Sequence, residues 1–227
     1  MVEDVTHSWL SDCDSTKADY CVASLRKWLQ LPDGGALMSS KHPLGFDMIH
    51  EESKEIITEF LSASVAKERY FKTFNASDKE VFRNHYSKAK DFLQADDEPY
   101  MLSCVSNSVL AHTDFETIKK RRRDNALYLH RHIHNNNVEA CCCFDGEHST
   151  PLYYPIYVRE GRDQLQKELA SQNIYCPIHW PVPEQAKQLL NEDSIFIYSH
   201  ILSLVCDQRY DLTDMEAIVE TVNHFSL

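Results

Sequence analysis

A chain of 227 residues with 43% hydrophobic content can bury one sizeable core or two modest ones. A net charge of −12 argues against nucleic acid or an anionic membrane as the main partner, and no apolar run is long enough to cross a bilayer. The amino end lacks the basic, apolar, small-residue order of a secretory signal, and eight cysteines without regular spacing fit a reducing, cytoplasmic compartment better than a disulfide framework.

The chain opens on Met1-Val2, an apparent strand end with nothing upstream to pair with, so we expect the back part of a larger design. A polar loop over 12–18 leads to a short strand over 19–24, which delivers Lys27. Pro32-Asp33-Gly34-Gly35 is a turn, and a second short strand follows over 36–39. With only five glycines in the chain, an adjacent pair marks a place where the backbone needs positive φ or close approach.

Apolar residues at helical spacing predict a long helix over 46–74 and another over 79–93. A short helix is expected over 102–110. Thr113 and Glu116 match a capping box for a helix that runs to about His132 and stops at Asn135-Asn136-Asn137. The period then changes. Strands are predicted over 138–144, 152–158, 174–178 and 202–205, with helices over 162–171, 184–190 and 194–201. A second capping-box match, Thr213 with Glu216, opens a last helix to about His224. These elements predict an α/β chain in three parts: 1–45, a helical connecting region over 46–134, and a small α+β domain over 135–227.

Several clusters invite a chemical reading, and each has a plainer rival. His130 and His134 share a helix face, but a metal site needs a third ligand, so solvated histidines at a helix end are preferred and no metal is expected. Cys141-Cys142-Cys143 cannot chelate as a run, because alternate strand residues face opposite sides. Arg121-Arg122-Arg123 reads as a solvated helix face rather than a phosphate site. Cys176 and His179 lie close in sequence without the surroundings of a thiol enzyme.

Asp4 and Lys27 form a different kind of pair. Apolar neighbours raise the cost of a protonated amine, so burial within Trp28-Leu29-Gln30-Leu31 would favour a neutral, nucleophilic lysine. Taken alone, the stretch reads as a surface lysine before a hairpin. With Asp4 it can bracket one heterocycle: a carboxylate keeps a pyridine nitrogen protonated while an amine holds an aldehyde.

The residues Val2-Glu3-Asp4-Val5-Thr6-His7-Ser8 resemble the EDxxQ/H segment of the DegT-like sugar aminotransferases, a branch of the fold-type-I pyridoxal phosphate enzymes. The spacing from Lys27 to Asp33-Gly34-Gly35 is similar to their K-x5-E/D-G-G pattern. Further on, Tyr153-Tyr154-Pro155-Ile156-Tyr157-Val158, the stretch from Ile174 through His179 to Trp180, and Cys206-Asp207-Gln208-Arg209-Tyr210 resemble the small domain of that family. The stretch over 46–100 resembles it least.

The resemblance implies a partial large domain in residues 1–45, carrying the cofactor lysine, followed by the helical region and the small domain. It implies that Lys27 binds pyridoxal 5'-phosphate covalently and shuttles the proton, that Asp4 pairs with the pyridinium nitrogen, that His7 lies near the phenolic oxygen and that Ser24 donates to the phosphate. His179 and Trp180 would face the substrate. It further implies a homodimer that moves an amino group from an amino acid, glutamate or glutamine, to a keto-sugar or related ketone. The rival expectation is a catalytically silent module for interaction or dimerisation; a metal enzyme using the histidine cluster ranks third.

Overall fold

The computed structural model describes residues 1–12, 17–45, 51–95, 99–141, 144, 146–179 and 181–227. Two compact units emerge, one formed by Met1–Thr6 with Asp14–Thr113 and the other by His7–Cys13 with Asp114–Leu227. Mixed strands and helices in small sheets give an α/β chain rich in helix.

In the first unit, β1 (Val2–Asp4), β2 (Tyr20–Ser24) and β3 (Gly35–Met38) form a sheet in that order. β1 runs parallel to β2 with Asp4 beside Val22, and β3 returns antiparallel with Gly35 beside Ser24. Side chains alternate across a strand. Cys21 and Ala23 are therefore buried on one face, while Val22 and Ser24 share the more open face with Asp4. A 3-10 turn, Leu25–Lys27, leaves the end of β2.

Gly34 is the glycine this hairpin requires. Its φ is +126°, its carbonyl accepts from the Leu25 amide at 3.2 Å, and a Cβ there would stand 3.2 Å from Leu102 Cδ1. Asp33 before it accepts hydrogen bonds from the Ser103 amide (2.8 Å), the Ser103 hydroxyl (2.6 Å) and the Ser106 hydroxyl. The carboxylate thereby ties the turn to the first turn of α3 (Cys104–His112).

The helices α1 (Lys54–Thr73) and α2 (Ala76–Ala95) make a hairpin. Fully buried Ala63, Ala66 and Ala89 lie within it, and Phe60 meets Tyr86 edge-on at 5.7 Å. Of the long helix expected over 46–74, residues 46–50 lie outside the described residues and the helix starts at Lys54.

The second unit packs α4 (Phe115–His132), α5 (Arg162–Ser171) and α7 (Leu212–His224) with a sheet of β4 (Val138–Ala140), β5 (Tyr154–Val158) and β6 (Ile201–Leu204), antiparallel throughout. One apolar core joins them, with Leu129, Ile156, Val158, Leu165, Leu169, Leu202, Leu204, Met215 and Val222 among its most buried members. A short helix α6 (Glu192–His200) follows a six-residue 3-10 stretch, Glu184–Leu189.

Three expectations are corrected here. Asp114, not Thr113, caps α4, accepting from the Thr117 amide at 3.1 Å. The box on α7 is Asp211 with Asp214, two residues before the Thr213 and Glu216 match read in the sequence. Residues 174–178 form no strand; Pro177 has no N–H to give, and its carbonyl accepts from Ser203 at 3.2 Å.

Candidate functional site

The first unit brings Asp4, Ser24 and Lys27 to one end of the β1–β2 pair. The parallel register puts both strand ends on the same edge, and the 3-10 turn carries the lysine on from Ser24. Thr6 connects these pieces. Its amide donates to Asp4 Oδ1 at 2.9 Å. Its hydroxyl oxygen accepts from the Ser24 amide at 2.9 Å. Its carbonyl accepts from the Trp28 indole Nε1 at 2.6 Å.

Trp28 is 2% exposed and ends the turn that carries Lys27. In the sequence Trp28 looks like one member of an apolar run and Thr6 like an ordinary polar residue. A tryptophan directly after the lysine was the available signal, since a buried indole N–H needs an acceptor.

Lys27 itself is exposed, which corrects the expectation of burial among apolar neighbours. Leu25, Trp28 and Leu31 do go inward, and a three-residue turn between buried Leu25 and buried Trp28 turns the intervening amine outward. Asp4 is exposed as well. Next to Lys27 in sequence, Arg26 is half-buried with its guanidinium 4.3 Å from the Phe60 ring centre. Burial lowers its pKa, and Asp33 opposes that shift.

The second unit brings His7 and His179 together. Their rings meet edge-on with centres 5.2 Å apart, and Tyr153 lies 4.7 Å from His179 and 6.3 Å from His7. These three line a cavity of about 440 Å³ with Tyr154, Tyr198 and Ser203. Burial raises the Tyr153 pKa, helped by Asp207, against the pull of Arg209 and Arg122, so its hydroxyl stays a proton donor at neutral pH. Tyr154 holds His130 Nδ1 at 2.8 Å. Trp180 lies outside the described residues.

Other clusters resolve into structural roles. Arg122 is 2% exposed rather than solvated. It donates to the carbonyls of Pro151 (3.2 Å) and Leu152 (3.0 Å) and to Gln208 Oε1 (2.8 Å), pinning the approach to β5. Cys176 and Cys206 are buried, and burial pushes their thiols up to about 11 and about 12; neither is a thiolate at neutral pH. Cys142 and Cys143 lie outside the described residues. His132 stacks on Tyr128 at 4.1 Å and donates to the Tyr128 carbonyl. Among the described residues no three His, Cys, Asp or Glu side chains are grouped to hold a metal, and no helix is long and apolar enough to cross a membrane.

This architecture is that of a portion of the aminotransferases of the DegT, DnrJ, EryC1 and StrS group. Such an aminotransferase from Brucella abortus matches 97% of the chain with a TM-score of 0.56 at 16% identity, using 56% of its own length. The PLP form of Spr1654 from Streptococcus pneumoniae matches 98% with a TM-score of 0.55 at 15% identity, again over 56% of that protein. In sequence, the chain is 29% identical over 113 residues to the dTDP-3-amino-3,6-dideoxy-alpha-D-galactopyranose transaminase of Aneurinibacillus thermoaerophilus, which covers 47% of this chain and 31% of that enzyme. The chain thus spans about a third of the curated relative's length and little more than half of the solved chains. No family model matches the sequence.

Proposed function

We propose that this chain is the carboxyl-terminal portion of a pyridoxal phosphate-dependent aminotransferase that moves an amino group from an amino acid, glutamate or glutamine, to a keto-sugar or related ketone. The observation that carries the reading is the common edge of β1 and β2. β1 ends at Asp4 and β2 at Ser24, just before the turn that carries Lys27, and Thr6 bonds to Asp4, to Ser24 and to Trp28 at the end of that turn, which supports the reading in a chain with the fold of such enzymes.

The residues fit a cofactor that asks for one carboxylate and one amine. Asp4 would hold the proton on the ring nitrogen, Lys27 Nζ would hold the aldehyde carbon, and Ser24 would donate to the phosphate. The exposure of Asp4 and Lys27 suits groups that must meet a ligand. When bound, the cofactor supplies an electron sink for the bonds at the amino-bearing carbon. The freed Lys27 amine would take a proton from that carbon and return it. In our reading His7 lies near the phenolic oxygen, and His179 and Trp180 face the acceptor. The aromatic and hydroxyl lining around His179 supports a sugar-sized ligand. The division at 45 and 134, a homodimer and a cytoplasmic location complete the proposal.

The test is reductive trapping. The full chain is incubated with pyridoxal phosphate and reduced with borohydride, and the modified residue is located by peptide mass. We expect one modified lysine, Lys27, and no modification in Lys27→Ala. Trapping at another lysine, or undiminished trapping in the variant, removes Lys27 from the role.

A silent interaction module is the second reading. It is favoured by the apolar surface toward the end of α1, where Val65 and Phe71 are each 58% exposed and Phe74 is 74% exposed. A folded chain that traps no cofactor at any lysine decides for it.

A further inference from the structure

We infer that Thr6 is a positioning residue that sets the separation between the Asp4 carboxylate and the Lys27 amine, with the Trp28 indole as its second anchor. The inference rests on the cofactor reading above and adds the part of the chain that holds the two groups in register.

Thr6 spends all three of its polar groups on the site. The β1–β2 ladder ends with the Val5 amide on the Val22 carbonyl at 2.8 Å. Past that point the Ser24 amide donates to the Thr6 hydroxyl oxygen at 2.9 Å. A side chain thereby extends the ladder by one rung at the residue that starts the Lys27 turn. The same turn ends at Trp28, whose indole reaches the Thr6 carbonyl at 2.6 Å. Lys27 is held between two residues that both answer to Thr6.

The third bond runs from the Thr6 amide to Asp4 Oδ1 at 2.9 Å. It turns the carboxylate back along its own strand end and orders a group that is otherwise exposed. A carboxylate and an amine on separate segments keep a fixed spacing only when something rigid joins them. Here the joint is a β-branched residue with a stiff χ1 and a 2%-exposed ring. Phenylalanine at 28 would keep most of the ring's burial and lose the donor. Valine at 6 would keep the shape and lose the acceptor.

Two measurements on the full chain test this. The first needs no ligand: hydrogen exchange at the Ser24 amide. We expect Thr6→Val to speed it at least ~10-fold, the loss of about 1.4 kcal/mol of local protection, while Thr6→Ser holds it within ~3-fold. The second is the pH titration of the absorbance band of bound pyridoxal phosphate. Its midpoint reports how closely the ring nitrogen and the lysine are matched. We expect it to move by roughly one pH unit in Thr6→Val and Trp28→Phe, and to return in Thr6→Ser.

Far-UV circular dichroism and a melting curve confirm that each variant is folded; a merely structural loss would lower the melt and leave the midpoint alone. A wild-type band whose midpoint is unmoved in Thr6→Val overturns this inference and leaves the cofactor reading standing. A wild-type chain that gives no band overturns both.

Discussion

The two units reach order by different means. In the second, Leu129, Ile156, Leu165, Leu202, Met215 and Val222 from three helices and two strands meet in one core, and area does the work. In the first, the β1–β3 sheet buries Val5, Cys21, Ala23 and Trp28, and directional bonds through Thr6 and Asp33 fix the turns. The unit with the larger core can give its surface to a cavity. The unit with the smaller core uses hydrogen bonds because each sets an angle and a distance, which a site needs and area cannot give.

The largest effect is expected from emptying the core. Leu202→Ala and Ile156→Ala remove side chains with 0% and 1% exposure. Each should cost about 2–5 kcal/mol, read by urea denaturation of the full chain. Thr6→Val, which removes one acceptor and no volume, should cost about 1 kcal/mol. A Leu202→Ala cost below that of Thr6→Val would break the contrast.

Two glycines sharpen it, one in each unit. Gly161 starts α5 with φ +73°, and a Cβ there would stand 2.5 Å from Leu227 Cδ2 and 3.0 Å from Phe225 Cζ. Gly34 has φ +126° and meets Leu102 at 3.2 Å. Alanine at either should cost roughly 1–3 kcal/mol. We expect Gly161→Ala to be read in the melting curve, and Gly34→Ala to be read also in weaker cofactor trapping, because Gly34 accepts from the first residue of the Lys27 turn.

The fold was legible where period and punctuation agree. Arg162–Ser171 came out as a helix with the bounds its apolar spacing indicates, and the α4 stop at the asparagine run is real because Asn135 donates to the carbonyls of Val222 and Phe225. Caps missed by one or two residues, since Thr113 and Asp114, or Asp211 and Thr213, satisfy the same local pattern and only the backbone conformation chooses between them. Arg122 was misread because a run of three arginines carries no sign of which one faces inward; the carbonyls of Pro151 and Leu152 that claim it lie 29 and 30 residues away. Of the candidate site, the sequence shows the residue types, Asp4 and Lys27, and the register adds that β1 and β2 end together. The joint at Thr6 was not legible, because that depends on the register of β1 against β2.

Acid should separate the means of stabilisation within the second unit. Burial pushes the Asp207 carboxyl up, but hydrogen bonds and charge from Arg209 outweigh it, at 2.8 Å to Nε and 2.7 Å to Nη2, and the pKa falls below the ordinary carboxylate value. A depressed folded pKa adds stability that is present above the unfolded value, about 3.9, and is lost as pH falls through the folded one. Arg209→Ala should therefore cost about 1 kcal/mol at neutral pH, and it should raise the pH at which the chain unfolds in acid. An acid midpoint unchanged in the variant would show that Asp207 is held by something other than Arg209.

The smallest effect tests whether area alone governs the second unit. Asp211 Oδ1 accepts from the amides of Thr213 (2.9 Å) and Asp214 (3.3 Å), and Asp214 Oδ2 accepts from the Asp211 amide at 3.0 Å. The box starts α7, the helix that sends Met215, Ile218, Val219 and Val222 into the core. If those side chains dock the helix, the cap adds only its own bonds. Asp211→Ala should then cost about 1 kcal/mol and Asp211→Asn a few tenths, both well below Leu202→Ala in the same urea series. A cost for Asp211→Ala equal to that of Leu202→Ala would mean that α7 depends on its first turn as the Lys27 turn depends on Thr6, and the two units would then be built alike.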